Sequence, residues 1–100
     1  MSKQHLYICT AIPYVNGAPH IGHAMDYLLA DIWTRYQKQQ GHDVRFQVGT
    51  DEHGNKIAAK AAEQGVAPKV FVDSMCAVFE AFIKKLGVEY TDFIRTTDVH

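Results

Sequence analysis

From Ile21 to Gln40 apolar side chains return every three or four positions, at Ile21, Met25, Leu28, Ile32 and Tyr36. That is the period of one helical face about five turns long, and Gly41 stands where such a helix would stop. A strand-like segment lies on each side. His5 to Ala11 places Leu6, Ile8 and Cys9 among residues that favour extended backbone, and Asp43 to Gly49 alternates Val44, Phe46 and Val48 with Arg45 and Gln47. Strands joined by so long a helix are expected to lie parallel, with a right-handed crossover. The fold class expected is α/β, built on a βαβ unit.

The remainder reads as further helix. An Ala-rich segment from Lys56 to Gln64 is closed by Gly65, and Pro68 suits the first turn of another helix with Phe71, Met75, Val78, Phe79, Phe82, Ile83 and Leu86 on one face. Ala67 precedes that proline, where a hydroxyl cap would give a firmer start. Trp33 is expected to pack within the long helix, and Val88 to His100 shows no regular pattern. With 47% hydrophobic residues and only 7 Gly and 3 Pro, the 100-residue chain is not a disordered or low-complexity segment. A chain of this size buries roughly 60–65% of its unfolded surface, so a core of its own would be marginal.

Charge and cysteine usage exclude several functions. The formal net charge of −1 provides no broad field for a nucleic-acid backbone, so RNA contacts are expected elsewhere or locally. Cys9 and Cys76 fit neither a zinc knuckle nor a disulfide framework, and both are expected as buried free thiols. The longest apolar run, Met75 to Phe79, falls far short of the about 20 residues of a membrane span. No membrane association and a cytoplasmic location are the expectations.

Ligands of parallel α/β sheets bind beyond the carboxyl ends of the strands. There the first loop runs through Pro13, Asn16-Gly17 and Pro19 into His20-Ile21-Gly22-His23, and the second carries Asp51-Glu52-His53-Gly54. His20 and His23 share one side of the first helical turn, where unpaired amides and the positive dipole end favour phosphate. Gly22 between them leaves room for a flat ring such as adenine. Neither a Walker loop nor Gly-x-Gly-x-x-Gly is present. Other readings stand beside this one. His20, His23, Asp51 and His53 could ligate zinc, although no His-Glu-x-x-His helix or partnering Cys supports it, and no metal is expected here. Asp51 or His53 could cap the following helix.

Ala11-Ile12-Pro13-Tyr14-Val15-Asn16-Gly17-Ala18-Pro19-His20-Ile21-Gly22-His23 resembles the first signature of class I aminoacyl-tRNA synthetases, and its Pro-Tyr-x-Asn-Gly lead-in that of the methionyl-tRNA synthetases. Thr50-Asp51-Glu52-His53-Gly54 is similar to that family's second block, and the likeness continues through Phe93-Ile94-Arg95-Thr96-Thr97-Asp98. The resemblance implies a Rossmann-like nucleotidyl-transfer fold. It also implies ATP-dependent activation of methionine to methionyl-adenylate, with Mg2+ accompanying ATP, and transfer to tRNA(Met). His20 and His23 would be catalytic and bind ATP together with Gly22, Asn16 and Gly17. Asp51 would hold the methionine ammonium, and Ala11, Ile12 and Tyr14 would line the methionine pocket.

The family's Lys-Met-Ser-Lys-Ser motif does not occur here, nor do the cysteine knuckles of its connective insertion. Residues 1–100 are therefore expected to be the N-terminal half of a class I catalytic domain, truncated before that insertion, the second ATP motif and the anticodon-binding domain. Any zinc would belong to the connective region, and no activity is expected from this piece alone. The alternatives are a small nucleotidyltransferase and a non-catalytic ATP-binding fragment.

Overall fold

The computed structural model describes residues 2–99. The element order is β1 (His5–Cys9), α1 (Ile21–Gln39), β2 (Asp43–Thr50), α2 (Asn55–Glu63), α3 (Pro68–Lys85) and β3 (Asp92–Arg95). The strands form one sheet in the order β1-β2-β3, and both pairings are parallel. This is the α/β architecture expected from the sequence, with one strand more. The irregular stretch after Val88 contains β3, whose Asp92 to Arg95 pair with Gln47 to Thr50. β1 also ends at Cys9, two residues before the sequence suggests, because the chain turns into the loop of Pro13.

Residues paired across a parallel ladder share a face. Phe46 lies opposite Ile8 and Val48 opposite Phe93. That face packs against Tyr27 and Ala30 of α1 and Ile83 of α3, forming the larger core. On the opposite face Tyr7 pairs with Arg45 and Cys9 with Gln47, and Tyr7, Cys9 and Arg45 are exposed. The alternation of β2 is thus as the sequence indicates, but Cys9 is not buried; of the two free thiols only Cys76 is.

α1 corrects a larger expectation. Its buried residues are Tyr27, Ala30, Asp31 and Thr34, whereas Ile21, Met25, Ile32 and Tyr36 are exposed and Leu28 lies at the surface with them. Trp33 also stands exposed. The sheet takes the small and polar side of the helix. Thr34 satisfies its hydroxyl on the Ala30 carbonyl at 2.8 Å, and Asp31 accepts the Glu89 amide at 3.0 Å and Arg35 Nε at 2.7 Å. These bonds make Asp31 and Thr34 tolerable on the inner face, while the buried Tyr27 hydroxyl has no partner among the described residues.

α3 starts at Pro68 with Ala67 in the cap position and no side-chain cap, as its sequence implies. Phe71, Val72 and Phe79 join Val15 of the first loop and Ile57 and Ala61 of α2 in a second cluster. Val78, placed on the packing face by periodicity, is exposed. The second cluster lies under the loops at the carboxyl ends of the strands. The first loop is therefore anchored by a core residue, Val15, and does not hang free.

Candidate functional site

Three elements converge at the carboxyl edge of the sheet. The first loop is tied to the end of β2 by backbone bonds: Asp51 N donates to Pro13 O at 2.8 Å and Val15 N to Asp51 O at 3.3 Å. Tyr14 and Asp51 form an isolated parallel bridge, one residue beyond the end of β2 and five beyond the end of β1. This brings together two of the sequence-derived site residues. Asp51 is half-buried and Tyr14 exposed. Asp51 does not cap α2; that cap position is Gly54, at φ 135°, a conformation open to glycine and strained for other residues. A Cβ at Gly54 would stand 3.5 Å from the Tyr14 ring.

At the start of α1, His20 and His23 cap one another. His20 is the N-cap residue, and its Nδ1 accepts from Gly22 N at 3.0 Å. His23 Nδ1 accepts in turn from His20 N at 3.0 Å, so the pair forms a reciprocal capping box. The rings stack with centroids 4.0 Å apart, and His23 meets Phe79 in a T-shaped arrangement with centroids 5.4 Å apart. An Nδ1 that accepts carries no proton, so each neutral ring bears its proton on Nε2. Two Nε2–H donors result, neither with a protein partner among the described residues. Burial pushes the His23 imidazole below its ordinary pKa and the neighbouring His20 adds to this, while Asp26 opposes it. Both effects favour the neutral donor.

Gly22 has a local reason to be glycine. A Cβ there would lie 2.8 Å from His20 Cε1 and 3.0 Å from its Nδ1. The space it leaves is taken first by the capping imidazole. Asn16 is half-buried and Gly17 exposed on the same loop, and a Cβ at Gly17 would meet nothing within 4 Å. Ala11 and Ile12 are exposed, with Ile12 Cγ2 3.2 Å from where a Gly49 Cβ would be.

Glu52 is the residue that sequence reasoning overlooked. Its side chain is fully buried and accepts from Arg95 Nε at 2.7 Å, Arg95 Nη2 at 2.6 Å and Thr50 Oγ1 at 2.7 Å, with Thr97 Oγ1 at 3.3 Å. Burial alone would raise this carboxyl, but the bonds from Arg95, Thr50 and Thr97 hold it below the ordinary carboxylate range. His53 turns away from the first loop to the Thr96 carbonyl, 3.2 Å from its Nε2. A buried acid between two polar neighbours gives no periodic signal. The later Arg95-Thr96-Thr97 triplet supplies all its partners but Thr50.

A cavity of about 240 Å³ opens beside the bridge, lined by Tyr14, Gly54, Asn55 and Lys56. A larger one, about 490 Å³, lies around His5, Tyr7 and Arg45 at the opposite end of the strands, away from the histidines and Asp51. Among the described residues no group of three or more His, Cys, Asp or Glu could hold a metal ion, so His20, His23, Asp51 and His53 do not gather as a ligand set.

The family model for class I (M) tRNA synthetases matches residues 6–100. The chain belongs to the class I (M) tRNA synthetases. Within that family it is 50% identical over 93 residues to methionine–tRNA ligase of Mycoplasma pneumoniae, covering 93% of this chain and 18% of the relative. The Deinococcus radiodurans methionine–tRNA ligase is likewise 50% identical, over 95 residues, covering 94% of this chain and 14% of that protein. Methionyl-tRNA synthetase of Mycobacterium tuberculosis, solved in complex with methionyl-adenylate, superposes with a TM-score of 0.92 at 41% identity. That match covers 98% of this chain and 19% of the solved one. This synthetase chain therefore spans less than a fifth of the length of each of these relatives. No helix among its described residues is long and apolar enough to cross a membrane.

Proposed function

We propose that this chain is the N-terminal part of the catalytic domain of a methionine–tRNA ligase and carries the first half of its methionine-activating site. In that reaction a carboxylate oxygen of methionine attacks the α-phosphorus of ATP. The bond from that phosphorus to the bridging oxygen breaks, pyrophosphate leaves and methionyl-adenylate remains. No enzyme group bonds to the substrate, so the protein acts by alignment and by stabilising charge on the phosphate oxygens.

The observation that carries this reading is the reciprocal capping of His20 and His23. It leaves two Nε2–H donors at the positive end of the α1 dipole, a setting suited to a polyphosphate. Asn16, Gly17 and Gly22 would line the nucleotide side, Gly22 against the adenine. Asp51 would pair with the methionine ammonium, and Ala11, Ile12 and Tyr14 would flank the side chain. Mg2+ would travel on the phosphates of ATP. Transfer to tRNA(Met) would use contacts outside this near-neutral chain. A cytoplasmic location would suit such an enzyme.

The test is amino-acid-dependent exchange of pyrophosphate into ATP by the full-length protein. Exchange with methionine and not with leucine, isoleucine or valine is the expected result. ATP binding without exchange for any amino acid would make the chain a nucleotide-binding module. Nucleotide transfer independent of amino acid would make it a nucleotidyltransferase.

A further inference from the structure

We propose that Arg95, acting through Glu52, is a positioning residue that aims the Asp51 carboxylate, a role that rests on reading Asp51 as the ammonium partner. The two residues after β2 are anchored to opposite neighbours. Asp51 is held on one side, its amide and carbonyl bonded to Pro13 O and Val15 N of the first loop. Glu52 is held on the other: its amide donates to Thr96 Oγ1 at 2.8 Å, and its buried carboxylate receives both donors of Arg95. Arg95 is fixed in its turn, since Nη2 also donates to Asp73 Oδ1 on α3 at 2.6 Å, and Lys69 Nζ reaches that oxygen at 2.9 Å. With one anchor on each side of a single peptide unit, little freedom remains in the backbone that bears the Asp51 side chain. A guanidinium fork suits this task because two parallel bonds fix direction as well as distance.

A purely stabilising ion pair would have different consequences. Loosening a positioning pair misplaces one carboxylate and should act on methionine alone; loosening a structural one should act on both substrates or on neither. In the full-length protein, Arg95→Lys keeps the charge and removes the fork. The KM for methionine is expected to rise about tenfold, the effect of a carboxylate misplaced by a fraction of an ångström, with the KM for ATP unchanged. Asp73→Asn, a surface change that loosens Arg95 from its far side, is expected to move methionine KM in the same direction by less, and it serves if Arg95→Lys does not fold.

The double variant decides the route. If Arg95 acts through Asp51, Arg95→Lys has no further effect on methionine KM once Asp51→Ala is present. Additive effects on methionine KM, or equal effects on methionine and ATP, would overturn the positioning role and leave Asp51 as ammonium partner. An Asp51→Ala protein with normal methionine KM would overturn the ammonium reading and the positioning role with it.

Discussion

His20 does two jobs with two nitrogens, and substitutions can separate them. Asparagine is a good N-cap but lacks an Nε2–H, so His20→Asn should keep the first turn of α1 closed, whereas His20→Ala should weaken it by about 1 kcal/mol. Amide exchange at Gly22, the proton His20 Nδ1 accepts, reads this directly. Equal protection in both variants would show that the imidazole is not the cap. His23→Gln likewise keeps the reach back to the His20 amide that a capping box requires. Protonation of His23 should mimic loss of its cap on the His20 amide. His23 has a folded pKa below its unfolded value near 6.5, so the unfolded chain binds the proton more readily. The stability it contributes is complete above about pH 6.5 and is lost as pH falls through the lower folded value. Glu52, with a folded pKa below its ordinary 4.5, adds a second loss at more acid pH, below about 4.5 and through its own folded value. Unfolding followed across pH 3 to 8 should show both windows, and His23→Gln should abolish the upper one. Persistence of the upper window in that variant would assign it to another histidine. Among single residues the sequence made His20, His23, Gly22 and Asp51 visible as unusual types at a helix start or strand end. It could not show that the histidines cap each other, because a capping box is ordinarily read from Ser, Thr, Glu and Gln.

At the level of elements, periodicity located the first two strands and all three helices to within a residue or two, β1's end aside, and misjudged one face. The regular stripe Ile21, Met25, Leu28, Ile32, Tyr36 is real, but it points away from the sheet. The inner side, Tyr27, Ala30, Asp31 and Thr34, looks polar in sequence and is legible only once Arg35, Glu89 and the Ala30 carbonyl are seen to satisfy Asp31 and Thr34. β3 escaped notice for a related reason. Its four residues are all half-buried, so no alternation marks them, and their order comes from pairing with β2. That pairing makes a sharp demand on Gly49, where a Cβ would fall 2.5 Å from the Ile94 carbonyl oxygen and 2.7 Å from Ile94 Cγ1. Backbone cannot yield as a side-chain tip can. Gly49→Ala should therefore separate β2 from β3 and destabilise the fold by about 1–3 kcal/mol, as overpacking does. Faster amide exchange confined to residues 47–50 and 92–96 is the expected sign; unchanged exchange there would mean that the strands adjust without strain.

The whole chain is extended for its length. Its radius of gyration is 15.5 Å, against about 13 Å for a compact domain of 100 residues. One sheet face carries no helix among the described residues, and α1 turns Ile21, Met25, Leu29, Ile32 and Trp33 to solvent. A continuous apolar surface of this kind favours association. The isolated chain should self-associate at micromolar concentration and unfold over a broad range, and its single Trp should shift to the blue as it associates. Ile32→Lys should weaken that association, while a sharply melting monomer would show that the uncovered faces are tolerated in water. The proposed division of labour, Asp51 on methionine and the histidine pair on ATP phosphates, is tested most directly by single-turnover adenylate formation in the full-length protein with both substrates varied. Asp51→Ala should raise the methionine concentration needed and leave the ATP dependence intact. His20→Asn and His23→Gln should instead slow the saturated step by about 10²–10³-fold, the effect of removing one donor to developing charge. Saturated rates unchanged in both histidine variants, or an Asp51→Ala protein that loses ATP and keeps methionine, would contradict this account.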